Sequence, residues 1–127
     1  MSKYVLDASA LLALLNAEEG AESVQQFLPD AVISTVNFAE VVSRLSAVGM
    51  PENEIREVLS ILALEIVPFD EEQALHAGLL YPQTKALGLS LGDRACLALA
   101  RIEGVPAITA DQVWKKLEIG TRVKLIR

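Results

Sequence analysis

Four acidic residues, Asp7, Glu40, Asp93 and Asp111, are widely spaced in the chain. Each falls where an apolar strand segment has just ended or a helical segment has just begun. Carboxylate oxygens without histidine or cysteine select hard divalent cations, Mg²⁺ or Mn²⁺ rather than zinc. Such ions lower the pKa of a bound water, clamp a phosphodiester and stabilise both oxygens of an in-line displacement. No competing chemistry is evident. His76 stands alone on a helix and reads as a surface residue, so no His–Ser–Asp or Cys–His set can be assembled. The single Cys96 lacks neighbours at metal-ligand spacing and reads as a buried, inert thiol. A glycine-rich phosphate loop is missing, which argues against a nucleotide-binding enzyme.

The elements that must position these acids follow from hydropathy and breaker residues. Lys3 to Leu6 reads as a strand, followed by helices over Ala8 to Leu15 and Ala21 to Leu28, the second stopped by Pro29. Ala31 to Ser34 is the next strand, then a helix from about Phe38 to Val48 ended by Gly49. Pro51 opens a helix through Leu62, and Leu64 to Val67 is a third strand. Glu71 to about Leu80 is helical; Pro82 interrupts it before a further turn or two. Leu91 to Glu103 is an apolar helix, Pro106 to Thr109 a fourth strand, a short helix follows Asp111, and Arg122 to Ile126 is a fifth strand. The strands are short and mostly unalternating, which suits a parallel sheet buried on both faces. Their alternation with helices predicts a three-layer α/β fold with right-handed crossovers. Strand ends and helix starts gather at the carboxyl edge of such a sheet, where these folds bind ligands.

Each acid also has a purely structural reading. Asp7 could cap the helix beginning at Ala8, and Asp111 the helix carrying Trp114. Asn37 with Glu40, placed in the first turn of its helix, has the spacing of a capping box, as has Ser90 with Asp93. Caps are common and are worth about 1 kcal/mol each, so either reading serves any one acid. Together they are harder to dismiss, because Ser, Thr or Asn would cap as well and all four positions carry acids. Four carboxylates in one crevice would repel unless helix amino ends and cations offset their charge.

The length of 127 residues predicts a single domain over 1–127, and the 52% apolar content supplies a real core. No apolar run reaches the roughly 18–20 residues that cross a bilayer, so a soluble, cytoplasmic protein is expected. The net charge of −6 sits awkwardly with a phosphate partner. Setting four of the 17 acids aside leaves 13 against 11 bases, so much of the excess is the candidate site itself. Lys115, Lys116, Arg122, Lys124 and Arg127 crowd the final segment. They could grip a phosphate backbone or simply protect an edge strand. Arg44, one turn beyond Glu40, and Arg94, beside Asp93, could reach phosphate or pair with those acids.

The stretches Val5-Leu-Asp7-Ala-Ser9, Ser34-Thr-Val-Asn37-Phe-Ala-Glu40-Val, Ser90-Leu-Gly-Asp93-Arg-Ala-Cys-Leu-Ala and Ile108-Thr109-Ala-Asp111-Gln-Val-Trp114 resemble, in order, the four signature segments of the PIN-domain family. The likeness is greatest to VapC-type toxins of bacterial type II toxin–antitoxin pairs. It implies a central, mostly parallel five-stranded sheet flanked by helices, with Asp7, Glu40, Asp93 and Asp111 as metal-binding acids. Ser9 and Thr109 fall where the family often places a hydroxyl beside the site, and turn or capping duty suits them equally. Asn37 falls where a polar residue commonly supports the acidic centre, and a helix cap is its first reading. The resemblance further implies one or two Mg²⁺ or Mn²⁺ ions and endonucleolytic hydrolysis of RNA by activated water, leaving a 5′-phosphate and a 3′-hydroxyl. It also implies a homodimer and inhibition by a cognate antitoxin. The apolar stripes Val41, Val42, Leu45, Val48 and Ile55, Val58, Leu59, Leu62 are wide enough for the sheet, a twin chain or an antitoxin helix.

Rivals fit less well. A phosphorelay receiver needs adjacent acids after its first strand and a lysine after its fifth, and a phosphatase with an Asp-x-Asp nucleophile fails because Ser9 holds the second position. A PIN-type scaffold that binds RNA or protein without turnover is the alternative that keeps every residue in place.

Overall fold

The computed structural model describes residues 3–127, in which strands and helices alternate as the hydropathy pattern predicts. Strand β1 (Tyr4–Leu6) leads into α1 (Ala8–Leu15) and α2 (Ala21–Phe27), and a 3₁₀ turn at Leu28–Asp30 delivers the chain to β2 (Ala31–Ser34). Then come α3 (Thr35–Ala47), α4 (Glu52–Ile61) and β3 (Glu65–Val67). Helices α5 (Glu71–Leu79), α6 (Tyr81–Thr84) and α7 (Leu91–Glu103) precede β4 (Ala107–Thr109). A 3₁₀ turn at Gln112–Lys116 and β5 (Val123–Leu125) complete the described chain.

The five strands form one sheet in the order β3-β2-β1-β4-β5, every pair parallel. Successive residues of the three central strands point to opposite faces and, the half-buried Tyr4 apart, are all buried, which is why these strands read as unbroken apolar runs. Leu6, Ile33 and Ile108 join the core under α1, α2 and α3. Val5, Val32 and Ala107 join the core on the other face with Leu97, Leu99 and Trp114. The result is the three-layer α/β arrangement expected from the sequence. Among the described residues no helix is long and apolar enough to cross a membrane.

Two boundaries differ from the sequence reading in ways that matter. Helix α3 begins at Thr35, not near Phe38, because Ser34 caps it: its Oγ accepts from the Val36 N–H at 3.1 Å. Asn37 is therefore inside the first turn and is no cap, and Glu40 moves to the second turn. Pro82 does not break a helix from within, since it occupies the start of α6, where a missing N–H is harmless. Three of the carboxy-terminal bases are engaged by the fold itself. Lys124 lies over the rings of Tyr4 and Phe27, 5.6 and 5.7 Å from their centroids. Arg127 pairs with Glu18 at 2.9 Å, and Arg122 donates to the Gly104 carbonyl.

Candidate active site

The strand order reverses between β1 and β4, since the chain steps outward through β2 and β3 on one side and β5 on the other. Helices leave the two central strands toward opposite faces there, and a crevice opens beyond their carboxyl ends. A cleft of about 430 Å³ occupies that place, lined by Asp7, Ser9, Glu40, Arg44, Asp93 and Asp111 with Ala8, Leu12 and Ser43. All four acids singled out in the sequence thus border one space, from four separate elements. They form a gradient: Asp7 is 4% exposed at the floor, Glu40 and Asp93 are half-buried, and Asp111 is exposed at the rim.

Asp7 has the backbone of a helix cap, yet its side chain caps nothing. Its Oδ2 instead accepts from the Ser9 hydroxyl at 2.6 Å and the Thr109 hydroxyl at 2.8 Å. Each hydroxyl oxygen accepts in turn from the backbone, Ser9 from Ala110 N–H and Thr109 from Asp111 N–H. The two supporting hydroxyls are thus held from behind, and the loop after β4 is tied to the loop after β1. Burial pushes the Asp7 carboxyl up to about 6. The Ser9 and Thr109 bonds pull it back, and the charges of Asp93 and Glu40 add to the rise.

Glu40 is steered by Asn37, which is fully buried. The Asn37 amide donates to Glu40 Oε1 at 2.8 Å and to the Gly92 carbonyl at 2.9 Å, joining α3 to the first turn of α7. Burial raises the Glu40 pKa, opposed by the Asn37 bond and reinforced by Asp93. Asp93 completes a capping box with Ser90, its Oδ2 accepting from the Ser90 N–H at 2.9 Å. Its pKa is raised by burial, lowered by the Ser90 bonds and raised again by Asp111. Asp111 caps the following 3₁₀ turn through Val113 N–H. The capping reading therefore holds for Asp93 and Asp111 and fails for Asp7 and Glu40.

The donor chemistry fits a hard divalent cation. In each carboxylate one oxygen takes the protein hydrogen bonds, and the other (Asp7 Oδ1, Glu40 Oε2, Asp93 Oδ1, Asp111 Oδ2) has no protein donor among the described residues. As they stand, no three acidic, histidine or cysteine side chains of the described residues converge closely enough to enclose an ion. Like charges held by separate local donors are expected to stand apart in this way. Arg44 is the one base lining the cleft, and among the described residues it makes no ion pair, with Glu40 or otherwise. None of the five carboxy-terminal bases lines it. Arg94 turns toward α5, donating to the Ala77 carbonyl at 2.9 Å and lying 5.2 Å from the Tyr81 ring centroid. Gly92 escaped the sequence reading. Its signal was a glycine in the first turn of a strongly apolar helix, which marks a close approach of neighbouring atoms.

Comparison with known proteins agrees with this fold. The family described as PIN domain matches residues 4–120. Among curated proteins, no sequence matches this chain. Solved structures share the fold at low identity. DNA-bound VapBC from Salmonella typhimurium matches with 20% identity over 100% of both chains and a TM-score of 0.79. A toxin–antitoxin complex from Klebsiella pneumoniae matches with 19% identity over 98% of each chain and a TM-score of 0.79. VapBC-1 from nontypeable Haemophilus influenzae matches with 20% identity over 97% of each chain and a TM-score of 0.69.

Proposed function

The chain belongs to the PIN-domain family, and from that premise we propose that it is a divalent-metal-dependent endoribonuclease, the toxin of a type II toxin–antitoxin pair. One observation carries the reading. Asp7, Glu40, Asp93 and Asp111 border a single cleft at the switch point of the sheet, each with one carboxylate oxygen free of protein donors among the described residues. These four residues would hold one or two Mg²⁺ or Mn²⁺ ions. When bound, the ions supply water activation and charge neutralisation for in-line attack on a phosphodiester.

The chain's own residues supply the rest. Ser9 and Thr109 fix the rotamer of Asp7 and favour its ionised form. Asn37 fixes Glu40. The amino ends of α7 and of the turn after β4 offset the charge of Asp93 and Asp111. Arg44, exposed at the cleft and without an ion pair among the described residues, suits an RNA phosphate. The single-domain extent over 1–127, the homodimer and the cytoplasmic setting belong to the same proposal.

An antitoxin partner is supported by a second surface. A groove of about 830 Å³ runs between α3, α4 and β3, walled by Phe38, Val42, Met50, Ile55, Leu59 and Leu64. Its size and apolar walls suit one face of a partner helix. Solved structures with this fold are described as VapBC and toxin–antitoxin complexes, the Salmonella one in its own words as DNA-bound. The alternative, a scaffold that binds RNA or protein without turnover, draws on the capping duty of Asp93 and Asp111.

The deciding experiment incubates the partner-free chain with a panel of structured and single-stranded RNAs in Mg²⁺ or Mn²⁺, then in EDTA, beside Asp7→Asn. Cleavage that needs the metal and vanishes in the variant is the expected result. A folded chain that neither binds metal nor cuts RNA returns the four acids to structural roles and favours the binding scaffold.

A further inference from the structure

Gly92 lies at the second position of α7, against the tip of Glu40 from α3. A Cβ placed on it would fall 2.6 Å from the Glu40 carboxyl carbon and from Oε2, and closer still to Oε1. Heavy atoms do not pack at such distances, so the Glu40 carboxylate rests directly on bare helix backbone. The contact is held from the side by Asn37, whose amide donates to Glu40 Oε1 and to the carbonyl of Gly92 itself. That amide cannot be turned round. Among the described residues its Oδ1 has no partner, and flipping it would aim an acceptor at two other acceptors. Glycine is a poor choice in a helix, where alanine is intrinsically preferred. At this position the missing side chain therefore has a use that propensity opposes.

We propose that Gly92 is a positioning residue: its absent side chain is the seat of the Glu40 carboxylate, and the seat sets the acid of α3 at a fixed place beside Asp93, the next residue of α7. The proposal rests on the metal reading of the cleft. Any side chain at position 92 lifts Glu40 off the backbone and breaks its bond to Asn37. The displaced atoms are the end of a flexible side chain, so the fold itself survives. What changes is the spacing of two carboxylates that must share a cation, and the expected consequence is weaker binding by about tenfold or more. Gly78 provides a matched control, since it is helical, lies in α5 and, among the described residues, has nothing within 4 Å of a Cβ placed on it.

The test uses the full-length chain and manganese alone, with binding followed by calorimetry. Gly92→Ala is expected to bind Mn²⁺ at least about tenfold more weakly than wild type, and Gly78→Ala to bind as wild type does. A second readout needs no metal. In EDTA, Gly92→Ala should raise Tm more in a Glu40→Ala background, where position 92 is unobstructed, than in wild type. Equal manganese affinity of Gly92→Ala and wild type overturns the proposal, as does the same Tm change in both backgrounds. Wild type that binds no manganese overturns the metal reading and the functional half of the proposal with it; the coupling in EDTA then decides the seat alone.

Discussion

The Thr109 hydroxyl donates to Asp7 Oδ2 at 2.8 Å, linking the last residue of β4 to the residue that follows β1. Strands β1 and β4 are neighbours, with Leu6 paired to Ile108, so the bond spans the switch point at the level of the cleft floor. Replacing Thr109 with valine keeps the shape and removes both the donor to Asp7 and the acceptor for Asp111 N–H. We expect Thr109→Val to lose roughly 1–3 kcal/mol of stability by urea denaturation. The acidic limb of RNA cleavage should move to higher pH, because Asp7 loses a bond that favours its ionised form. A pH–rate profile superimposable on that of wild type would remove Thr109 from the site.

Metal-free stability should depend on pH in the direction opposite to that of an ion-paired carboxylate. The folded chain holds the Asp7 proton up to about 6, against an ordinary value of 3.8. Between those values the folded form binds more protons than the unfolded one, so stability falls as pH rises through the window. Burial of Glu40 and of Asp93 acts in the same direction. Melting in EDTA is expected to show Tm declining from about pH 4 to about pH 7, as stability falls by on the order of 3 kcal/mol from Asp7 alone. Asp7→Asn should flatten that decline. A Tm that climbs over the same range contradicts the burial argument.

Mg²⁺ should raise Tm at neutral pH, since a cation that binds the folded acids stabilises by mass action. Asp93→Asn and Asp93→Ala separate the two duties of this residue. Asparagine can still accept from the Ser90 N–H while losing the charge, so apo stability should rise and the Mg²⁺ response shrink. Alanine also loses the capping box, at a cost of about 1 kcal/mol. An undiminished Mg²⁺ response in Asp93→Asn would take Asp93 out of the metal-binding set.

Arg44 offers a test of substrate contact by salt dependence. In an Asp7→Asn background, Arg44→Ala should weaken RNA binding similarly across sequences. The slope of log affinity against log salt should fall by about 0.7–1, the signature of one lost phosphate contact. Fluorescence anisotropy at several salt concentrations reads this directly, and an unaltered slope would mean that Arg44 does not meet the RNA backbone.

Much of the fold was legible because its signals are local. Ala8–Leu15 and Leu91–Glu103 appear with the boundaries their apolar periodicity predicts, and the short, unalternating segments of β1 and β4 announced a sheet covered on both faces. The start of α3 was misplaced because Ser34, read as the end of a strand, also caps the helix that follows. A residue serving two elements gives no separate signal for the second.

By itself the sequence determined the element order, the parallel α/β class and the places of Asp7, Asp93 and Asp111 at strand ends and helix starts, all of which follow from composition and spacing within short windows. Only the tertiary structure decided which acids cap and which do not, that Arg44 rather than the basic carboxy-terminal segment faces the cleft, and that Glu40 rests on Gly92. Those facts depend on the paths of side chains between elements dozens of residues apart. There a hydrogen bond or a missing Cβ has its effect across space, and neither periodicity nor spacing along the chain records it.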